Sequence, residues 1–292
     1  MATTNDNDTR GPVSFVQVAP AVHLLPAIKA YRFLEHNGPA ETSANQRIVA
    51  DGCFELNFCL AHPVQRTEAP TEVRLLQDPY ITGRVGSPYF VKRTGSTRVI
   101  SVLFRPGALA YVTPFPGGLV ADRLTPAIEV FGAGIIGLNA ELSRRWEPQF
   151  IARTLDKYWS ARLGRTQRSA QRLTAIVEHL HATRGIFRVA DLERTAEGRS
   201  QALEQLFSEH IGVSIHQFAS LIAFRHFLAR VKTRPTLSLV QLAAASGYSN
   251  ATDLWREFKR FTGTSPERFR RECHPLHDRM IELESNARQN GP

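Results

Sequence analysis

The order of apolar and polar positions divides the chain near its middle. In Cys53-Phe54-Glu55-Leu56-Asn57-Phe58-Cys59-Leu60, the residues Phe54, Leu56, Phe58 and Leu60 alternate with Cys53, Glu55, Asn57 and Cys59. Period two over eight residues predicts a β-strand. Shorter runs at 73–76, 80–85, 89–92 and 98–104 are separated by turn chemistry: Asp78-Pro79, Gly86-Ser87-Pro88, Thr94-Gly95-Ser96 and Pro106-Gly107. Short strands at this spacing predict a small sandwich or barrel. Beyond about residue 132 the period becomes helical. Leu173, Ile176, Val177 and Leu180 follow i, i+3, i+4, i+7, as do Leu239, Leu242, Ala243 and Ser246, and Leu221, Phe224, Leu228 and Val231 form a further stripe. Residues 132–163 predict one or two joining helices, with Pro148 as a break or a start. Residues 1–12 and about 285–292 are polar and predict disorder.

Charge sharpens this division. Residues 165–274 hold 17 Lys+Arg against 10 Asp+Glu, whereas residues 1–130 hold 12 against 11, so most of the net +9 lies in one C-terminal block. A basic domain beside a near-neutral one points to a polyanion, most often nucleic acid. The longest apolar run, 130–138, is far shorter than the roughly 20 residues of a membrane helix. No secretory signal is expected at the N-terminus. Three cysteines, Cys53, Cys59 and Cys273, fit reduced thiols in the cytoplasm.

The basic block contains a repeat. At an offset of 51 residues, Leu203 matches Leu254, Phe207 matches Phe258, Gly212 matches Gly263, Ser214 matches Ser265 and Phe218 matches Phe269. A short helix containing Leu192 or Leu242 precedes each copy, giving two helix-turn-helix units. In the second, Ser249 is placed to cap a helix beginning near Asn250. Leu254, Phe258 and Phe261 form its buried stripe. Thr252, Arg256 and Lys259 have the same spacing, displaced by about 200° around the axis. That suits a recognition helix, with N-terminal residues at base edges and later cations at phosphate. In the first copy, Gln201, Gln205 and Ser208 occupy these three places. Gln can read adenine, but no cation shares the face, and Glu204 and Glu209 flank it. The interval from Leu192 to Leu203 is 11 residues against 12 from Leu242 to Leu254, and Glu193 and Glu197 fall near the shortened turn. This unit is expected to bind more weakly or at an altered angle.

At this point the sequence resembles the AraC/XylS family of bacterial transcription regulators. LVQLAAASGYSNATDLWREFKRFTGTSPERFR (239–270) is similar to the family's second helix-turn-helix signature, and LFSEHIGVSIHQF (206–218) to the end of the first. The resemblance implies a seven-helix DNA-binding domain over about 168–271. Its base-facing positions would be Ala251, Thr252 and Arg256 in the second unit and Gln201, Ala202 and Gln205 in the first. Trp255 departs from the small or polar residue usual at its place. Asp51-Gly52-Cys53-Phe54-Glu55-Leu56 and Phe104-Arg105-Pro106-Gly107-Ala108 resemble the β-rich domain of one subset of the family, which implies a cupin-like barrel that senses small molecules or dimerises.

The expectation is an α+β chain of two domains: a polar tail at 1–12, a β-rich sensing or dimerisation domain at 13–131, a helical linker at 132–164, an all-α DNA-binding domain with two helix-turn-helix units at 165–274 and a tail at 275–292. Its function would be that of a sequence-specific transcription regulator of double-stranded DNA, not an enzyme. DNA contacts are assigned to Gln201, Ala202, Gln205, Ser249, Asn250, Ala251, Thr252, Arg256 and Lys259. An effector, if one binds, would meet a polar strand face bearing Glu55, Asn57, Tyr89 and Arg105. Other partners would be a second copy of the chain and, for an activator, RNA polymerase. No cofactor or metal is expected: the histidines of the β half, His23, His36 and His62, lie far apart, and Cys273-His274-Pro275-Leu276-His277 lacks a second half. The competing reading is a small-molecule-binding or enzymatic barrel whose helical domain docks a protein.

Overall fold

The computed structural model describes residues 13–38, 46–67, 73–76, 79–83, 85–164, 168–233, 238–244, 246, 248 and 251–271. The tails expected at 1–12 and 275–292 lie outside them, as does the Cys273–His277 cluster. The strands are β1 (Val13–Val18), β2 (Ile28–His36), β3 (Gln46–Ile48), β4 (Phe54–Cys59), β5 (Val64–Thr67), β6 (Val73–Leu76), β7 (Tyr80–Gly83), β8 (Tyr89–Arg93), β9 (Thr97–Phe104) and β10 (Thr125–Pro126). They pair antiparallel into a six-stranded sheet, β1-β2-β9-β4-β7-β10, and a four-stranded sheet, β3-β8-β5-β6.

The alternating strand, β4, is buried along its whole length. Its register places Phe54, Leu56 and Phe58 beside Phe104, Val102 and Ile100 of β9, and Glu55, Asn57 and Cys59 beside Leu103, Ser101 and Val99. Both faces therefore need a cover. The apolar face is covered by helices α1 (Ala127–Phe131), α2 (Gly134–Leu142) and α3 (Pro148–Ser160). Trp159 meets Phe104 edge-on at 5.0 Å, and Phe131 stacks on Phe104 at 6.1 Å. Asp156 of α3 accepts hydrogen bonds from the Tyr31 hydroxyl (2.9 Å) and the Ala21 amide (3.0 Å). Burial, with that carboxylate, raises the Tyr31 hydroxyl above its ordinary range. The segment expected to join the halves is thus packed as a layer on the sheet, with Pro148 in the first turn of α3. The polar face of β4 turns toward the smaller sheet.

Seven helices follow among the described residues: α4 (Arg168–Ala182), α5 (Val189–Thr195), α6 (Ser200–Ile211), α7 (Ile215–Thr233), α8 (Leu239–Ala244), α9 (Ala251–Thr262) and α10 (Pro266–Arg271). The long α7 is common to both units. Its Phe218 packs on Phe207 of α6 at 5.4 Å, and its Phe224 on Phe258 and Phe261 of α9 at 5.4 and 5.0 Å. Local sequence fixes the ends. Ser214 with Gln217 and Ser238 with Gln241 form reciprocal capping boxes at the starts of α7 and α8. Ser265 Oγ accepts the Arg268 amide at 3.3 Å before α10. The matched glycines of the repeat, Gly212 and Gly263, take left-handed φ values of 89° and 72° and close α6 and α9. The architecture is the expected α+β pair: a β-rich N-terminal unit of two antiparallel sheets and an all-α C-terminal unit with two helix-turn-helix elements.

Candidate functional site

Helix α9 buries Leu254, Phe258 and Phe261 against α7 and exposes Thr252, Arg256 and Lys259 on the other side. The Arg256 guanidinium bonds Asp253 Oδ1 at 2.8 Å, one turn back on the same helix. Trp255 is half-buried and packs against the core. Behind α9, the Tyr248 hydroxyl donates to Glu257 at 2.8 Å. Burial and that carboxylate raise its pKa. Ser249 and Asn250 lie outside the described residues, as does the side chain of Ala251, so the cap expected there is not part of this geometry.

Helix α6 likewise exposes Gln201, Ala202 and Gln205 and buries Leu203, Phe207 and Ile211. Its acids divide by task. Glu204 turns inward and accepts the Ile215 amide at the start of α7 at 3.1 Å. Glu193 of α5 accepts the Ser200 amide at 2.7 Å, serving as the anion at the N-terminus of α6. The shortened turn between α5 and α6 carries Glu197 in a left-handed conformation, φ 50°. Sequence reasoning treated Glu193 only as a departure from pattern. Its capping role needed the tertiary fold to become visible.

The two domains meet along a row of glycines. A Cβ at Gly118 would stand 2.7 Å from the carbonyl oxygens of Ser208 and Glu209, and one at Gly117 would collide with that of His210, so the turn Gly117–Val120 lies flush on the end of α6. A Cβ at Gly52 would stand 2.8 Å from the Phe218 ring, and one at Gly107 3.1 Å from Leu173 Cβ. The second unit is touched as well. Arg47 donates to the Thr262 carbonyl, and a Cβ at Gly263 would stand 3.3 Å from Pro88. Gly52 and Gly107 belong to the two N-terminal segments singled out in the sequence.

The residues suggested for an effector do not all share a place. Glu55, Asn57 and Tyr89 are buried between the two sheets. Arg105 is not with them. β9 ends at Phe104, so Arg105 has left the alternation of the sheet; it is exposed and donates to the Leu25 carbonyl at 2.7 Å. Cys53 and Cys59 are buried free thiols, Cys59 with its pKa raised by burial to about 12. Among the described residues, no group of three or more His, Cys, Asp or Glu is placed to hold a metal ion, and no helix is long and apolar enough to cross a membrane.

Residues 197–272 match the family model of a helix-turn-helix domain, and residues 16–126 match a domain of unknown function, DUF6597. No curated protein matches the chain. Among solved structures it is similar to ToxT from Vibrio cholerae, at 10% identity and a TM-score of 0.44, over 78% of this chain and 96% of that one. It is also similar to the AraC-like transcriptional activator CuxR, at 13% identity and a TM-score of 0.33, over 71% of this chain and 78% of that one. The β-rich part is similar to the Cupin_2 domain of an XRE family regulator from Enterobacter cloacae, at 12% identity and a TM-score of 0.26, over 32% of this chain and 97% of that one. Two helix-turn-helix units in a basic domain behind a β-rich unit define a DNA-binding regulator. Residues 197–272 belong to a helix-turn-helix domain.

Proposed function

We propose that this chain is a sequence-specific transcription regulator that reads double-stranded DNA chiefly through α9, under the control of a small-molecule effector held in the β-rich unit. We place the β-rich domain at 13–131, the joining helices at 132–164 and the DNA-binding domain at 165–274. The observation that carries this reading is the exposed stripe Thr252, Arg256 and Lys259 opposite the buried stripe Leu254, Phe258 and Phe261. A helix shaped in this way presents its first turns to base edges and its later cation to phosphate. In α6, Gln201, Ala202 and Gln205 take the equivalent places without a cation. We assign that helix the weaker role. A second copy of the chain and RNA polymerase are the proteins such a regulator would meet, in the cytoplasm.

The test is a footprint and a titrated gel shift of the full chain on its own upstream DNA. Binding should fall steeply with salt. Arg256→Ala should cost roughly 1–3 kcal/mol on the cognate site. Lys259→Ala should weaken all sequences alike and flatten the salt slope. An unchanged affinity in Arg256→Ala would remove α9 from the reading.

A further inference from the structure

Helix α1 and the chain just before the turn Gly117–Val120 line a cleft of about 370 Å³, and Arg162, two residues beyond the end of α3, joins the lining. Its body is apolar, with Val112 and Phe115 from the chain before the turn and Val130 and Phe131 from α1. Phe131 is fixed there by stacking on Phe104 and by meeting Trp159 edge-on at 5.2 Å. Thr113 ties the two segments together. Its hydroxyl donates to the Val130 carbonyl at 2.8 Å and accepts the Phe115 amide at 3.2 Å. That hydroxyl is therefore occupied by the fold, and the other polar side chains of the lining are Glu129 and Arg162.

These two charges line one cleft and do not neutralise each other. Among the described residues, neither forms an ion pair or a side-chain hydrogen bond. Arg162 is half-buried and Glu129 is exposed. The Arg162 guanidinium stands 3.6 Å from the centre of the Tyr158 ring, and a Cβ at Gly134 would stand 2.7 Å from its Nη2. Packing rather than an acid therefore holds this cation, and its planar fork keeps its hydrogen bonds for a carboxylate. One cation and one anion beside an apolar body match a zwitterion with an apolar side chain. A plain carboxylate would meet repulsion from Glu129, and a plain amine would meet it from Arg162. The volume lies at the small end of the range for ligand pockets, about 300–1,000 Å³, which suits a molecule of amino-acid size.

We propose that this cleft binds a free amino acid with an apolar side chain, its carboxylate on Arg162, its ammonium on Glu129 and its side chain against Phe115 and Phe131. This rests on the effector reading above and gives that effector a chemical class and a place, where the β-rich unit meets the joining helices. The place also suits regulation. Residues 112–115 run directly into the turn Gly117–Val120, which lies on the end of α6. On their other side, the Tyr111 hydroxyl shares a hydrogen bond of 3.0 Å with Thr174 Oγ1 of α4. A ligand seated against this segment bears on a wall anchored to the helical domain at both ends.

The experiment uses the full chain without DNA, in calorimetric titrations and thermal melts. The probes are leucine and phenylalanine, each with its des-amino acid and its decarboxylated amine, and glycine as the zwitterion without an apolar body. At least one of the two apolar amino acids should bind saturably and raise the melting temperature, and glycine should do neither. The single-charge relatives should bind about tenfold or more weakly, since each forfeits one charged hydrogen bond. Arg162→Met should lose about tenfold or more for the amino acid and leave the amine unharmed, while Glu129→Gln should do the same and leave the des-amino acid unharmed. Arg153→Gln, on the exposed side of α3, should keep the full response. Absence of saturable binding by either apolar amino acid would overturn the proposal. So would a des-amino acid that binds as tightly as its parent, or an affinity for the parent unchanged in both cleft variants. Should Arg162→Met not fold, Arg162→Lys supplies the reading: charge without the fork should weaken binding, and an unchanged affinity would refute the site. Failure of the DNA footprint would instead count against the regulator reading, leaving this result to stand by itself.

Discussion

At the scale of the residue, the informative group on α9 is an acid. Asp253 holds the Arg256 guanidinium at 2.8 Å, with side-chain exposures of 40% and 76%. An ion pair this open contributes about 0–1 kcal/mol, so DNA can take Arg256 from it at small cost. The same carboxylate sits in the first turn of α9. There it favours the helix dipole by about 0.3–1 kcal/mol, but it would stand near the phosphate backbone once α9 is docked. Asp253→Asn should therefore trade one property for another. We expect a several-fold gain in DNA affinity in a gel shift, less sequence discrimination, and a melting temperature lower by one or two degrees. A loss of affinity would mean that Asp253 itself contacts the DNA.

At the scale of the element, the two helix-turn-helix units share a skeleton and differ in their turns and charges. The span 189–211 holds five carboxylates, Asp191, Glu193, Glu197, Glu204 and Glu209, against Arg194 and Arg199. Glu193 already occupies the N-terminus of α6, where a phosphate would otherwise be favoured. Glu197 is held at φ 50°, a conformation that costs a residue with a Cβ about 1 kcal/mol or more. Its contact with Arg168, at 3.8 Å and almost fully exposed, returns little. Glu197→Gly should raise stability by about 0.5–1 kcal/mol in urea denaturation, after the larger unfolded-state entropy of glycine is set against the relieved strain. It should also strengthen DNA binding by removing a negative charge beside α6. A fall in stability would show that the side chain does more there than the backbone needs.

The repeat made these helices legible in the sequence, because aromatic stripes at helical spacing and matched Gly and Ser positions survive any tertiary context. The strands were less legible. β4, β6, β7, β8 and β9 follow from alternation and turn residues. β2, which lies between β1 and β9 in the larger sheet, does not, because Lys29, Arg32 and Glu35 interrupt its apolar run IKAYRFLEH. Alternation was expected to separate a core face from a polar one. Here both faces are interior, and the polar one carries Arg32, so the residue that hid the strand is itself buried. Glu55, Asn57 and Tyr89 were legible as polar strand positions. Glu129 and Arg162 were not, since a charged residue that lines a cleft has the same sequence appearance as any other.

At the scale of the whole molecule, the contact between domains decides whether an event in the β-rich unit can reach α6. The turn Gly117–Val120 rests on backbone carbonyls at the end of α6, and carbonyls cannot rotate aside as a side chain could. Added volume at Gly118 must therefore part the surfaces or deform the helix end, at about 1–3 kcal/mol. Gly118→Val keeps the strands and the hydrophobic stripes of both units. We expect it to retain its helical and strand signals in circular dichroism. In calorimetry, a wild-type transition in which the domains unfold together should become two, with the β-rich unit and the helical domain melting apart. DNA binding should persist, because α9 lies away from this contact, while any dependence of that binding on a ligand held by the β-rich unit should vanish. A single unchanged transition in Gly118→Val would show that the domains do not bear on each other at this point. Signals from the β-rich unit would then have to travel by Arg47 and Thr262 to the second unit instead.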